Sequence, residues 1–208
     1  MKKILILFLF IPLFSCNDWL NVEPEDSVTF VNYFKSEEEL KALHNGIASY
    51  MKNICIGKQP YFYNALDADN IEWTYQGFWT LDPDTYLPDE SMVLDVNWSG
   101  FYDAIYMANV MIENEYRFEN ISEERAKFWL GQAHFCKAMS YFRIAQIWGD
   151  APIAKGSESI APEGKRPALE VLEEAIREAK LALTLPVYEE LKDVDGKQIT
   201  SKQYASLG

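Results

Sequence analysis

The stretch GQAHFCKAMSYFRIAQIWGDAPIA, residues 131–154, decides the fold class of this chain. It predicts a helix that begins after a capping serine, Ser122, has two glutamates in its first turn and ends at Gly149. Large apolar residues lie on most sides of this helix: Phe128, Trp129, Phe135, Met139, Tyr141, Phe142, Ile144 and Ile147. Such a distribution is typical of a helix that other helices surround. We therefore expect a central, buried helix that ends near Trp148.

A helix with a marked N-terminus is predicted over residues 37–52. Ser36 and Glu39 have the spacing of a capping box, in which each side chain bonds the backbone N–H of the other residue. The apolar stripe that follows at helical spacing consists of Leu40, Leu43, Ile47 and Met51. The sequence thus predicts an amphipathic helix that packs one face against the central helix.

Three further segments carry helical periodicity. One begins at Trp98, and its predicted stripe is Phe101, Ile105, Ala108, Ile112 and Tyr116. Another spans residues 167–185 between two prolines, with a predicted stripe of Leu169, Leu172, Ile176, Ala179 and Leu183. A last helix is expected to begin at Thr200. Long helices in consecutive antiparallel pairs favour an all-α fold with TPR-like helix packing.

Residues 58–97 follow neither a helical nor a strand period. Loops of this length are uncommon unless they are functional or disordered, and the aromatic content of this segment argues against disorder. We interpret it as a long irregular aromatic-rich segment packed on the helices. The domain prediction is residues 36–208 as one helical domain that is incomplete at its C-terminus.

The N-terminus predicts export and lipid attachment. Residues 1–15 combine two lysines with a short apolar run, as in a signal peptide. Leu13, Phe14 and Ser15 before Cys16 resemble a bacterial lipobox, so we expect Cys16 to be the lipid-bearing first residue of the mature protein. Residues 16–35 would then form a lipidated tether. The alternative is an ordinary secretory signal with an incidental cysteine.

Composition narrows the class of ligand. The formal net charge is −13, and such a surface repels phosphate backbones, so no nucleic-acid partner is expected. Cys55 and Cys136 could pair in an oxidising compartment. Because Cys136 lies within the predicted central helix and nothing in the sequence sets its distance to Cys55, we assign no disulfide.

Residues 131–154 resemble the signature of the SusD/RagB family of outer-membrane nutrient-uptake lipoproteins. The matching positions are Gly131, Ala133, Phe135, Ala138, Tyr141, Phe142, Ile144, Trp148, Gly149, Asp150 and Pro152. Gln132, Cys136 and Lys137 replace the usual Glu, Leu and Arg. The segment from Cys16 to Met51 and WSGFYDAIYMANVMIE at 98–113 resemble earlier blocks of the family in the same order.

This resemblance implies a glycan-binding lipoprotein without enzymatic activity. It would lie on the cell surface, anchored by lipid in the outer membrane, and pass oligosaccharide to a SusC-like TonB-dependent transporter. Family members are usually much longer, so the chain matches their N-terminal part. The alternative is a truncated TPR-like protein-interaction module, or a non-functional fragment, that binds no sugar.

The aromatic-rich segment holds the residues that we expect to contact sugar. Trp73, Tyr75 and Trp79 offer flat apolar faces that match the C–H faces of sugar rings. Asp69 and Asn70 nearby could accept or donate hydrogen bonds to the hydroxyls. The simpler interpretation is that these rings only pack over the helices.

Enzymatic and metal chemistry have little support in the sequence. His44 and His134 are not part of a metal or nucleophile motif, and the paired aspartates near 67–84 do not specify the geometry that a glycosidase needs. The run DADNIE at 67–72 has oxygen ligands but lacks the glycine and the final glutamate of an EF-hand loop. We expect no cofactor, with calcium the one ion that this run leaves open.

Overall fold

The computed structural model describes residues 33–56, 92–157, 164–199 and 204–206, and for residues 53–56 and 92–97 it describes the backbone alone. The chain divides into two compact units, Met1–Tyr33 and Phe34–Gly208. The fold described here is that of the second unit.

Four α-helices form this unit. They are α1 (Glu37–Ile56), α2 (Met92–Glu113), α3 (Glu123–Trp148) and α4 (Ala168–Leu181), with short 3₁₀ helices at Glu115–Arg117, Ala182–Thr184 and Tyr188–Glu190. Helix α3 contacts the three other helices, and α1 also packs against α2. The prediction of an all-α fold built from TPR-like helix pairs is confirmed. Within the described ranges, no helix is both long and apolar enough to cross a membrane.

Helix α1 begins with the predicted contact between Ser36 and Glu39. The Glu39 carboxylate accepts the Ser36 backbone N–H at 3.0 Å, which satisfies one of the donors that a helix start leaves unpaired. Leu40 and Ile47 are fully buried. The helix continues to Ile56, one turn beyond the predicted end at residue 52.

Helix α2 corrects two predictions. It begins at Met92 rather than Trp98, so residues 92–97 are helical and the irregular segment predicted over 58–97 is too long. The stretch from Met92 to Val96, which is apolar except for Asp95, contains no glycine or proline that would end the helix before Met92 is reached. The predicted stripe holds at Phe101, Ile105 and Ala108, but Tyr116 lies in a 3₁₀ helix and is 78% exposed.

Helix α3 has the predicted ends. The Ser122 hydroxyl accepts the Arg125 backbone N–H at 3.3 Å, and Gly149 ends the helix with φ of 73°, a conformation that residues with a side chain rarely adopt. Trp129, Tyr141 and Ile144 are buried in the core. The helix is not buried on all of the predicted sides, because Phe135 and Phe142 are 39% and 41% exposed. Cys136 is buried within the helix as a thiol.

Helix α4 buries a different face from the predicted one. Leu169, Ile176 and Leu183 of the predicted stripe are exposed, while the buried face consists of Val171, Ala175, Glu178 and the following Ala182. The physical reason is a charged group in the interface. Glu178 is 1% exposed and meets two basic side chains of α3, so α4 is rotated to direct this carboxylate towards α3.

Glu178 is the centre of a buried ionic network. Its carboxylate contacts His134 Nδ1 at 2.6 Å, Lys137 Nζ at 2.9 Å and an Arg177 guanidinium nitrogen at 2.6 Å. Burial by itself would raise the pKa of Glu178, but the hydrogen bonds from His134 and Lys137 outweigh burial and lower the pKa to about 2. The carboxylate therefore stays ionised and joins α3 to α4.

The stability of the chain should consequently fall in acid through Glu178. The folded pKa of about 2 lies below the ordinary value of 4.5, so the contribution is fully present above pH 4.5 and is lost as the pH falls towards 2. The difference in unfolding free energy between the wild type and Glu178→Gln should shrink by about 3 kcal/mol across this window. Urea unfolding at several pH values measures this difference, and one that does not change with pH would contradict the assignment.

Residues 204–206 are held against α3 by a pair of hydrogen bonds, which we call the Gln132 clamp. The Gln132 amide donates to the Ala205 carbonyl at 2.8 Å and accepts the Ala205 N–H at 2.8 Å. The Tyr204 ring stacks on His44 with centroids 5.1 Å apart, so Tyr204 points towards the helices. The helix predicted from Thr200 is wrong over 204–206, where the backbone is not helical because Gln132 takes both hydrogen-bonding groups of Ala205.

Replacing Gln132 with Glu should break one hydrogen bond of the Gln132 clamp and so destabilise the fold. A carboxylate can accept the Ala205 N–H but cannot donate to the Ala205 carbonyl, which would then face a buried negative oxygen. We expect a loss of about 1–3 kcal/mol in the free energy of unfolding, measured by urea titration. Gln146→Glu on the exposed part of the same helix is the matched control, and equal effects of the two substitutions would argue against the clamp.

Candidate functional site

A groove lined by aromatic side chains lies beside α2. Trp98, Tyr102 and Tyr106 are spaced four residues apart and therefore follow one face of the helix. The groove has a volume of about 270 Å³, slightly below the range of about 300–1,000 Å³ that is typical of ligand sites. Its other wall is the segment that follows α3, and it contributes Pro152, Ala154, Gly156 and Ser157. We call this cavity the α2 groove.

The wall opposite α2 has no helix of its own, yet hydrogen bonds from the helices hold it in place. The Tyr102 hydroxyl donates to the Pro152 carbonyl at 2.7 Å, and the Tyr141 hydroxyl accepts the Ala154 N–H at 2.9 Å. Further along, the Glu113 carboxylate accepts the Ser157 backbone N–H at 3.0 Å and also the Ser157 hydroxyl. These contacts fix the shape of the groove before any ligand enters.

The base of the same wall is joined to the start of α4. Ala151 and Arg166 exchange two backbone hydrogen bonds, of 3.0 and 2.9 Å, and Asp150 accepts the Ala168 N–H at 2.9 Å. Asp150 therefore satisfies a backbone donor in the first turn of α4. The segment 150–157 thus connects three helices and cannot move without breaking contacts to each.

The rings in the groove are rigidly placed. The Trp98 ring lies 5.0 Å from that of Tyr102 and meets the Trp148 ring edge to face at 5.2 Å. Burial raises the pKa of Tyr102 well above its ordinary value, so its hydroxyl remains a hydrogen-bond donor. Tyr106 is 46% exposed, so a large part of it is open to solvent.

Polar groups border these rings. Ser99 and Asp103 are exposed residues of α2, and Ser157 lies on the opposite wall. Asp103 is the one charged side chain among the described residues that line the groove. Aromatic faces beside a carboxylate and hydroxyls suit a ligand that has both apolar faces and hydroxyl groups.

A second cavity, of about 670 Å³, lies where the N-termini of α1 and α3 meet residues 184–196. Its lining mixes acidic and basic side chains, among them Glu37, Arg125, Lys192 and Asp193. Arg125 already pairs with Glu37 at 2.5 Å and donates to the Lys192 carbonyl at 3.0 Å. Because its central groups are occupied with one another, this cavity is a weaker candidate than the α2 groove.

The structure does not describe the site residues that the sequence predicts. Cys16, Asp69, Asn70, Trp73, Tyr75 and Trp79 all lie outside the described residues, so their roles stay predictions. The α2 groove was missed because Trp98 and Tyr102 were interpreted only as part of a family signature. The signal that could have revealed it is the spacing of Trp98, Tyr102 and Tyr106. Within the described ranges, no group of three or more His, Cys, Asp or Glu side chains could hold a metal ion.

Solved structures of SusD superfamily proteins share this arrangement of helices. A SusD superfamily protein of Bacteroides thetaiotaomicron superposes with a TM-score of 0.62 at 21% identity, over 82% of this chain and 39% of that one. A SusD superfamily protein of Bacteroides vulgatus gives a TM-score of 0.57 at 18% identity, over 74% of this chain and 35% of that one. At such low identity these likenesses establish the fold.

Sequence comparison then defines the family. The family described as "Starch-binding associating with outer membrane" matches residues 18–205, and the chain therefore belongs to this SusD-like family. SusD-like protein P25 of Formosa agariphila is 25% identical over 159 residues, which are 72% of this chain and 30% of that protein. SusD-like protein P38 of the same organism is 28% identical over 169 residues, or 76% of this chain and 31% of that protein. The chain spans about a third of the length of these relatives.

Proposed function

We propose that this protein captures oligosaccharides at the cell surface and delivers them to a SusC-like TonB-dependent transporter in the outer membrane. The observation that carries the proposal is the family match over residues 18–205, with its description as starch-binding and associated with the outer membrane. In this role the chain binds sugar without catalysing a reaction. The net charge of −13 supports a ligand other than nucleic acid.

Attachment to the membrane is the first part of this proposal. Cys16 is the proposed lipid-bearing residue, and two or more acyl chains on one protein give a stable anchor. The chain should partition with membranes when it is expressed in a bacterium that processes lipoproteins, and Cys16→Ala should release it to the soluble fraction. Cys55→Ser is the matched control. A Cys16→Ala variant that stays in the membrane fraction would contradict lipid anchoring.

Sugar capture is the second part, with Trp73, Tyr75 and Trp79 as proposed stacking residues and Asp69 and Asn70 as hydrogen-bonding residues. Alanine at both Trp73 and Trp79 should weaken binding of a glycan that the wild type binds, while the circular dichroism spectrum stays unchanged. Unchanged affinity in a folded variant would remove these residues from the proposal.

Delivery to a transporter is the third part. Affinity purification of the tagged protein from its native outer membrane, followed by mass spectrometry, should recover a TonB-dependent β-barrel protein. The Cys16→Ala variant, which is not held at the membrane, serves as the control. Recovery of no such barrel in repeated purifications would argue for a protein that binds glycan without this partner.

A further inference from the structure

We propose that the α2 groove is a binding site for a short segment of an uncharged oligosaccharide, with Tyr106 and Trp98 as stacking rings and Asp103 as a hydrogen-bond acceptor. This inference rests on the proposed glycan capture, and it assigns that function to residues far in sequence from 69–79. Three properties of the groove support this inference: its exposed aromatic surface, the polar groups that border the rings, and the sign of its charge.

The aromatic surface suits the face of a sugar ring. Sugars expose C–H bonds on their ring faces, and aromatic rings present a slightly negative face to these positive hydrogens. Tyr106 lines the groove and is 46% exposed, while Trp98 is held by Trp148 at 5.2 Å and by Tyr102 at 5.0 Å. Because Trp98 is already fixed by its neighbours, little side-chain freedom is lost when a ligand stacks on it.

Polar groups border the aromatic rings of the groove. Asp103 follows Tyr102 on α2 and is exposed, so its carboxylate can accept bonds from hydroxyl groups. Hydrogen bonds to an ionised acceptor are about twice as strong as those between neutral groups. On the opposite wall, Ser157 is held by Glu113 and keeps a fixed position.

The charge of the groove favours neutral sugars. Asp103 is negative, and the lining described above contains no Lys or Arg that could pair with a uronate or a sulfate. Outside the lining, the Glu113 carboxylate that holds Ser157 and the exposed Lys155 of the same wall carry opposite charges, so Asp103 sets the charge of the groove itself. The chain as a whole carries a net charge of −13. An acidic glycan would therefore be repelled, and this repulsion is only partly screened at a Debye length of about 8 Å in physiological salt.

The test is calorimetric titration of the purified full chain with maltohexaose, cellohexaose and xylohexaose, and with hexagalacturonic acid as the charged counterpart. We expect at least one neutral hexaose to bind and the acidic one to bind more weakly. Tyr106→Ala should weaken binding of that neutral hexaose about tenfold, as expected for truncation of an exposed aromatic contact. Asp103→Asn should weaken it by about threefold or more.

The controls separate loss of contact from loss of fold. Tyr116→Ala removes a tyrosine that is 78% exposed and lies outside the groove lining, and Glu119→Gln neutralises an exposed carboxylate elsewhere. Both should bind as the wild type does. Tyr106 and Asp103 are exposed enough that their variants should retain the wild-type thermal midpoint, and this midpoint is measured alongside.

Each result of the titration decides one point. If a neutral hexaose binds and both groove variants retain wild-type affinity, the groove is not the site and glycan capture stands. If hexagalacturonic acid binds more tightly than every neutral hexaose, the inference of a site for uncharged sugar is overturned. If the folded wild type binds neither a neutral hexaose nor hexagalacturonic acid, the groove proposal and glycan capture by this chain both fail.

Discussion

Replacing Glu178 with alanine is expected to lower the free energy of unfolding by about 3–5 kcal/mol. The wild-type carboxylate is 1% exposed and faces Lys137, whose side chain is 9% exposed, and His134. Removing one partner of a buried ion pair leaves the other charge without compensation, and this effect is larger than the net contribution of the pair. Chemical unfolding followed by circular dichroism gives the value directly.

Two companion variants identify the cause of this loss. Glu173→Ala, at an exposed position of the same helix, should change stability by about 0.5 kcal/mol or less. Adding Lys137→Met to Glu178→Ala should restore part of the stability, because no buried ammonium group then lacks a partner. A loss at Glu178 no larger than that at Glu173 would show that the network does not join α3 to α4.

Replacing Trp129 with alanine is expected to destabilise the chain by a similar amount, about 3–5 kcal/mol. The indole is 1% exposed and packs against the rings of His44, Phe128 and Tyr204 at centroid distances of 5.6, 4.9 and 5.9 Å. Its N–H donates to Glu37 at 2.9 Å, so the substitution also removes a contact between α3 and α1.

Phe142→Ala is the matched control for Trp129→Ala, since it removes an aromatic residue of the same helix that is 41% exposed. The control should lose much less stability. A side chain that is partly exposed buries less apolar surface, and its removal leaves no closed cavity. Urea unfolding of the two variants side by side gives the comparison. Similar losses would contradict the tight packing of Trp129 among the rings of His44, Phe128 and Tyr204.

The helices that could be predicted from sequence are those with local signals at their ends. Ser36 with Glu39 marks the start of α1, and Ser122 and Gly149 mark the two ends of α3. Each signal depends on groups within a few residues of one another, so no knowledge of the tertiary structure is needed to interpret it. The burial of α3 could also be predicted from its apolar composition, except at Phe135 and Phe142, which are exposed.

The face that α4 buries could not be predicted from its own sequence. Its apolar stripe at Leu169 and Ile176 is regular, but the interface with α3 contains Lys137 and His134, and their charges draw Glu178 inward. A periodicity argument assigns a glutamate to solvent because an unpaired buried carboxylate is costly. The partners that remove this cost lie on another helix, more than forty residues away.

The α2 groove is formed by residues that are even further apart in the sequence. One wall comes from α2 and the other from residues 152–157, and the bond between the Tyr102 hydroxyl and the Pro152 carbonyl joins positions separated by 50 residues. The sequence shows the aromatic spacing on α2 but not the wall that encloses it. The segment after α3 therefore connects the helices and also completes the cavity proposed to bind sugar.

The measurement that tests the central claim most directly is titration of the folded wild-type chain with neutral and acidic oligosaccharides. Glycan capture predicts saturable binding of at least one of maltohexaose, cellohexaose, xylohexaose and hexagalacturonic acid, and the α2 groove site predicts that the acidic hexaose binds more weakly than a neutral one. A folded chain that releases or absorbs no heat of binding with any of the four hexaoses, and gives no change in its NMR spectrum on their addition, would contradict the proposed function.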